Sequence, residues 1–231
     1  EKHEKYARLF AGLLNYATLP FYLGSYEPER GRPREERNRR IAEWCRAKGI
    51  AAKGHPLVWH EVYPKWGPAG ADEAIVLCEG RVRRDVAVFK GLVEVWDVVN
   101  EATVSHKFEN GVGRWAARDG ALAVVKRSLE WARAANPDAV LLYNDYNVGP
   151  DFEALAAGLV KARVPPDVFG IQSHMHSGEW EIEKAWKVCE TYARFGKPLH
   201  FTELTVLSGE HGWMKPKPWP TTPEGEAKQA D

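Results

Sequence analysis

Only three cysteines, Cys45, Cys78 and Cys189, occur in 231 residues. So odd and sparse a set makes no disulfide framework, and its spacing fits no zinc-site pattern. Each falls inside an amphipathic helical pattern, so all three are expected as buried structural thiols. An excess of charge is also lacking: 32 lysines and arginines balance 32 aspartates and glutamates. That balance argues against nucleic acid or an anionic membrane as a partner. The basic run from Arg30 to Arg40 is interleaved with glutamates and reads as the solvated start of a helix. No apolar run approaches the ~18 residues of a membrane span. No signal peptide is recognisable in a chain that starts at Glu1. The Gly-rich turn that a dinucleotide-binding open sheet needs after its first strand is missing too.

What the chain does contain is alternation. Short apolar stretches are expected as strands at Leu13–Thr18, Ile50–Gly54, Glu94–Asn100, Ala139–Tyr143, Val168–Ile171 and Leu199–Thr202. Helical patterns are expected at Lys2–Gly12, Arg34–Gly49, Ala71–Gly91, Trp115–Ala135, Phe152–Ala162 and Glu181–Phe195, with another beginning near Pro223. Strict alternation of this kind makes a parallel α/β sheet. Most of these strands end in polar or aromatic residues, and parallel strands share a direction, so the tips gather on one side. Functional groups spread over many strand ends favour a (β/α)8 TIM barrel over an open sheet. About six βα units are present, strands 2 to 7 of such a barrel. The expectation is therefore an incomplete barrel, residues 1–231 forming a single catalytic domain truncated at both ends.

Val95-Trp96-Asp97-Val98-Val99-Asn100-Glu101 is the clearest of these tips, a buried-type strand that ends in an amide and a carboxylic acid. Glu203 ends the sixth strand in the same way. In a closed barrel these two strands face each other across the mouth, which lets the two carboxyls converge. A separation of about 5–5.5 Å suits a retaining glycosidase, and about 6.5–9.5 Å suits an inverting one. His55, His60, His174 and His176 lie at other tips. They allow a metal reading, with His174 and His176 as ligands of a metal-dependent barrel hydrolase, or a role in hydrogen bonding sugar hydroxyls and a carboxylate. Trp59, Trp66, Tyr146, Trp213 and Trp219 fall in loops on the same side, where rings stack on sugar faces. Trp44, Trp131 and Trp186 in helices, and Trp96 in its strand, are read as core.

Five segments in order carry a resemblance. They are Gly54-His55-Pro56-Leu57-Val58-Trp59-His60, Trp96-Asp97-Val98-Val99-Asn100-Glu101, Asn144-Asp145-Tyr146-Asn147, Gln172-Ser173-His174 and Thr202-Glu203-Leu204. Together they resemble glycoside hydrolase family 10, the endo-β-1,4-xylanase family, over about residues 13–226. The resemblance implies a retaining, endo-acting enzyme that cleaves β-1,4-xylosidic bonds in xylan by double displacement. Glu101 would be the acid/base, Glu203 the nucleophile and Asn100 the donor to the sugar 2-hydroxyl. His174 would hold the nucleophile, and His55 and Trp59 would line the glycone side. Gln172 would support, Tyr146 would face the aglycone, and His60 would join the substrate-binding set.

No cofactor and no metal are implied. The expected partner is a polysaccharide, xylan or a related β-glycan, bound by a monomer that is secreted or periplasmic because polymers do not enter cells. The alternative is a truncated barrel that only binds glycan or is inactive. Two departures from the family pattern stand out. Thr18-Leu19-Pro20-Phe21-Tyr22 replaces a Glu-Asn-x-x-Lys type motif that grips the sugar, and Thr205 replaces an aspartate after the nucleophile. Glu203 is also expected to raise the pKa of Glu101 by its negative charge.

Overall fold

The computed structural model of the chain describes residues 2–175, 178–209 and 220–230. Helix α1 (Lys2–Leu13) leads into strand β1 (Tyr16–Pro20), and two helices follow, α2 (Leu23–Tyr26) and α3 (Glu35–Ala47). Strand β2 (Ala51–His55) precedes α4 (Ala71–Val88), and β3 (Val95–Asn100) precedes α5 (Ala102–Ser105), α6 (Gly111–Asp119) and α7 (Ala121–Ala135). The remainder alternates singly through β4 (Val140–Asp145), α8 (Pro150–Lys161), β5 (Val168–His174), α9 (Ile182–Ala193), β6 (Leu199–Thr205) and α10 (Pro223–Ala230).

The six strands make one sheet in sequence order, and every neighbouring pair is parallel. Sequential parallel strands with intervening helices wind in one hand and curl. The curl brings the first and last strands to the same interior, where the Tyr16 and His200 rings meet edge to face at 5.4 Å. The architecture is thus an incomplete (β/α)8 barrel, as the alternation led us to expect.

Several expectations shift at the edges. The first strand starts later than Leu13, because α1 runs on through that residue and leaves it exposed. The helix expected over Trp115–Ala135 is two helices, broken at Gly120, whose φ of 84° only glycine adopts freely. Between β3 and Trp115, where no helix is expected, lie α5 and the first turn of α6. Cys45 and Cys78 are buried, whereas Cys189 is only partly so. Trp131 and Trp96 are core and Trp44 packs against it, but Trp186, expected there, is 64% exposed. Trp186 lies on α9, of which only Val188 and Tyr192 are buried.

The core between sheet and helices is aromatic where it supports the mouth. Phe21, Phe89 and Trp96 are fully buried and meet as edge-to-face pairs, Phe21 with Phe89 at 5.1 Å and with Trp96 at 4.9 Å. Such pairs add about 0.5–1.5 kcal/mol beyond the area they bury. Gly54 makes room for the indole: a Cβ there would lie 2.2 Å from the Trp96 ring. Buried Arg81, on α4, turns its guanidinium to the carbonyls of Phe21, Pro56 and Leu57 and pairs with Asp85. One helix side chain therefore ties down the tips of both β1 and β2. No helix among the described residues is long and apolar enough to cross a membrane.

Candidate active site

The strand tips deliver their polar residues in register. Asn100 stands opposite Asn144, and Gln172 stands opposite Glu203. Both alignments follow a register shift, between Asp97 and Val99 on β3 and between Ile171 and Gln172 on β5. Such irregularities re-aim side chains and recur beside functional sites. The segment after β2 continues beside β3, with Leu57 N bonded to Asp97 O, Val58 N to Val98 O and Asn100 N to Val58 O. That extension carries Trp59 and His60 to the tip of β3.

Glu101 sits at the turn between β3 and α5 with φ 55° and ψ 42°, the left-handed region. Its N–H donates to Asn144 O at 2.8 Å, which fixes the turn. Below it, buried Asp145 accepts from Thr103 Oγ1 at 2.9 Å and from the Tyr143 hydroxyl, anchoring α5. The Glu101 carboxylate accepts from Trp59 Nε1 (3.0 Å), Gln172 Nε2 (2.8 Å) and Asn100 Nδ2 (3.1 Å).

Glu203 accepts from Asn144 Nδ2 at 2.8 Å, and its second oxygen lies 2.8 Å from His174 Nε2. The other nitrogen of His174 meets the Thr205 hydroxyl at 2.9 Å. Asn144 also donates to Asn100 Oδ1 (2.8 Å) and accepts from Thr202 Oγ1 (2.5 Å), while Gln172 Nε2 lies 3.2 Å from the same Asn100 oxygen. A continuous amide relay thus joins the two carboxyls. Glu101, Glu203, Trp59, Tyr146, Gln172 and His174 all line one cavity of about 700 Å³.

His55 belongs to a second chain of contacts. Its Nδ1 lies 2.7 Å from Asp97 Oδ2, and its Nε2 faces Glu203 at 3.9 Å. Lys53 Nζ reaches the same Asp97 oxygen at 2.6 Å, with both side chains sealed from solvent. Burial alone would raise the Asp97 pKa, but His55 and Lys53 outweigh it and hold the carboxyl below its ordinary value. An ionised Asp97 fixes the His55 tautomer, with Nδ1–H toward Asp97.

Glu101 is pushed above the ordinary carboxylate range, first by burial, with Asp145 and Glu61 adding and the bonds from Gln172 and Trp59 opposing. The charge expected to do this was Glu203. Burial leads instead, and the anions that assist are those of its own side of the mouth. His60 is buried, its Nδ1 2.8 Å from Ser105 Oγ and its ring tilted over Phe108 at 3.9 Å. Desolvation lowers its pKa to about 4, so it is neutral at neutral pH.

Some expected residues lie elsewhere. Trp66 donates to Glu27 O at 2.9 Å and lines a different cavity with Arg30 and Arg84. His176, Trp213 and Trp219 lie outside the described residues. In the stretch that replaces the sugar-gripping motif, Leu19 and Phe21 are core. Tyr22 alone turns to the site, its ring 5.4 Å from that of His55 and 5.6 Å from that of Trp59.

Sequence reasoning passed over Lys53, Asp97, Asn144, Glu61 and Trp180. Asn144 and Asp97 stood inside the matched segments, and a polar residue in an apolar strand was their signal. Lys53 gave no such signal, because a strand lysine ordinarily faces solvent. Trp180, which lines the cavity, sits in a short loop, with Lys184 Nζ 4.3 Å from its ring centre.

A parallel barrel whose strand tips hold two carboxyls and a surround of amides and imidazoles defines a barrel protein with a polar, strand-tip site. The chain belongs to glycosyl hydrolase family 10, whose model matches residues 22–229. Endo-1,4-beta-xylanase B of Thermotoga neapolitana is 32% identical over 203 residues, 82% of this chain and 58% of that one. The family 10 structure from Paenibacillus barcinonensis superposes with a TM-score of 0.81 at 24% identity, over 100% of this chain and 72% of that one, a likeness of fold. Xylanase 10B from Thermotoga petrophila RKU-1, solved in complex with xylobiose, gives 0.74 at 26% identity over 88% and 65%. The chain spans about half the length of the curated relatives it matches, at 58%, 49% and 47% of three of them.

Proposed function

We propose that the protein is a retaining endo-β-1,4-xylanase working by double displacement. One observation carries the reading: two carboxyls line the same cavity in opposite environments, Glu101 buried and shifted toward its protonated form, Glu203 held by an amide and an imidazole. A carboxyl raised by burial, beside a second one held by hydrogen bonds, suits the division into acid and nucleophile.

In the first step Glu203 attacks the anomeric carbon while Glu101 gives its proton to the departing glycosidic oxygen. The negative charge of Glu203 then disappears into an ester bond. Water, giving a proton to the now ionised Glu101, attacks the anomeric carbon and displaces Glu203 as its carboxylate, so the sugar leaves with its original configuration. Asn100 meets the 2-hydroxyl. His55 and Trp59 line the glycone side and Tyr146 the aglycone side, while Gln172 holds the acid's carboxyl and His60, through Ser105, steadies the turn that carries it.

The xylobiose bound by the Thermotoga petrophila neighbour supports xylan as substrate. A polymeric substrate that does not enter cells supports a secreted or periplasmic enzyme, which we take to work as a monomer with one catalytic domain. Glu203→Gln is expected to abolish release of reducing sugar from xylan, and proton NMR of the wild-type products should show the β-anomer first. Retained turnover in the variant, or initial α-anomer, would sink the proposal.

A further inference from the structure

His60 leaves one nitrogen without a use. Its Nδ1 faces Ser105 Oγ, and that hydroxyl lies 3.2 Å from Glu101 O, to which only the serine proton can be given. Ser105 therefore accepts from His60 Nδ1–H, and the lone pair of the neutral ring is on Nε2. This atom is buried and has no hydrogen-bond partner among the described residues. A buried acceptor left so is costly, and a ligand would relieve it.

The Nε2 lone pair faces the Glu101 carboxylate at 4.0 Å, too far for a hydrogen bond. Glu61 completes the group: one ligand atom from each of His60, Glu61 and Glu101 lies within 4.8 Å of the others. We propose that these three residues form a binding site for a transition-metal dication of the zinc type at the edge of the active-site cavity.

The donor set is one imidazole nitrogen and two carboxylates, the mix that zinc accepts while keeping its fourth position for water. Ligand bonds of about 2.1 Å place tetrahedral donors roughly 3.4 Å apart. The exposed Glu61 side chain is free to swing in and close the remaining gap. Magnesium prefers an all-oxygen octahedron and keeps its waters, so the imidazole selects against it. Bound metal would occupy Glu101 Oε2, the oxygen that otherwise accepts from Trp59 Nε1. On the proposed reading of Glu101 as acid, the ion is therefore a reversible inhibitor that removes the proton donor.

Calorimetric titration of the protein with zinc chloride tests the site directly, without relying on catalysis. One zinc per chain is expected, removed by EDTA, with no heat from magnesium at equal concentration. Glu61→Gln should weaken zinc at least tenfold. Glu61→His, which restores a ligand at the same exposed position, should keep affinity within a few-fold of wild type. Absence of stoichiometric zinc, or equal binding by Glu61→Gln, overturns the site. If xylan is hydrolysed, zinc should suppress the rate in parallel with occupancy, and full activity at saturation overturns the inhibitory role alone. If no xylan is hydrolysed, the titration still decides the site while the enzymatic reading fails.

Discussion

Asn144 donates its amide to Glu203 Oε1 at 2.8 Å, across 59 positions of sequence, and holds Asn100 with its other proton. A hydrogen bond to a charged group is worth about 1.5–3 kcal/mol. Asn144→Ala removes that bond and leaves the relay between the carboxyls open. The expected outcome is a fall of about ten- to a hundredfold in kcat/KM on xylo-oligosaccharides. Unchanged far-UV circular dichroism would locate the loss in the site. A variant within twofold of wild type would show that His174 suffices to hold Glu203.

Glu61 raises the pKa of Glu101 by its charge, with burial the larger cause. A raised pKa keeps Glu101 protonated, and hence a usable acid, to higher pH. Glu61→Gln removes one raising influence, so the Glu101 pKa falls and its proton is lost at lower pH. The basic limb of the kcat/KM profile should therefore move to lower pH, and modestly, because Glu61 is exposed and its charge screened. A basic limb that stays put or moves upward contradicts the assignment.

Gly54 faces the Trp96 ring with no space for a methyl group. Gly54→Ala should cost about 1–3 kcal/mol of stability, the usual range for overpacking. Urea denaturation followed by tryptophan fluorescence reads it as a lower midpoint at unchanged slope. An unaltered midpoint would mean that Trp96 has room to shift.

How much of this was legible depended on whether a residue broke the pattern around it. Asn100, Glu101, Gln172, His174 and Glu203 end apolar strands, and the contrast marks them without any knowledge of distance. Strand order followed from the alternation in the same way. Lys53 and Arg81 were not legible, because charged residues ordinarily face solvent. Nothing local says that Lys53 will meet Asp97 in the interior, or that Arg81 will meet three carbonyls. The cause of the Glu101 shift was hidden for a related reason, since burial is a property of the assembled mouth. Tyr22 illustrates the converse. The altered motif was visible, but only the fold separates Leu19 and Phe21, which pack inside, from the one ring that enters the site.

The left-handed backbone at Glu101 sets the fold against the chemistry. Glycine and asparagine occupy that conformation readily, whereas a glutamate held there costs on the order of 1–3 kcal/mol. Position 101 is therefore one where a change that relaxes the main chain would discard the proposed acid. Selection for thermal tolerance alone, applied to this protein without a demand for turnover, would favour replacing the carboxyl that the proposed reaction needs.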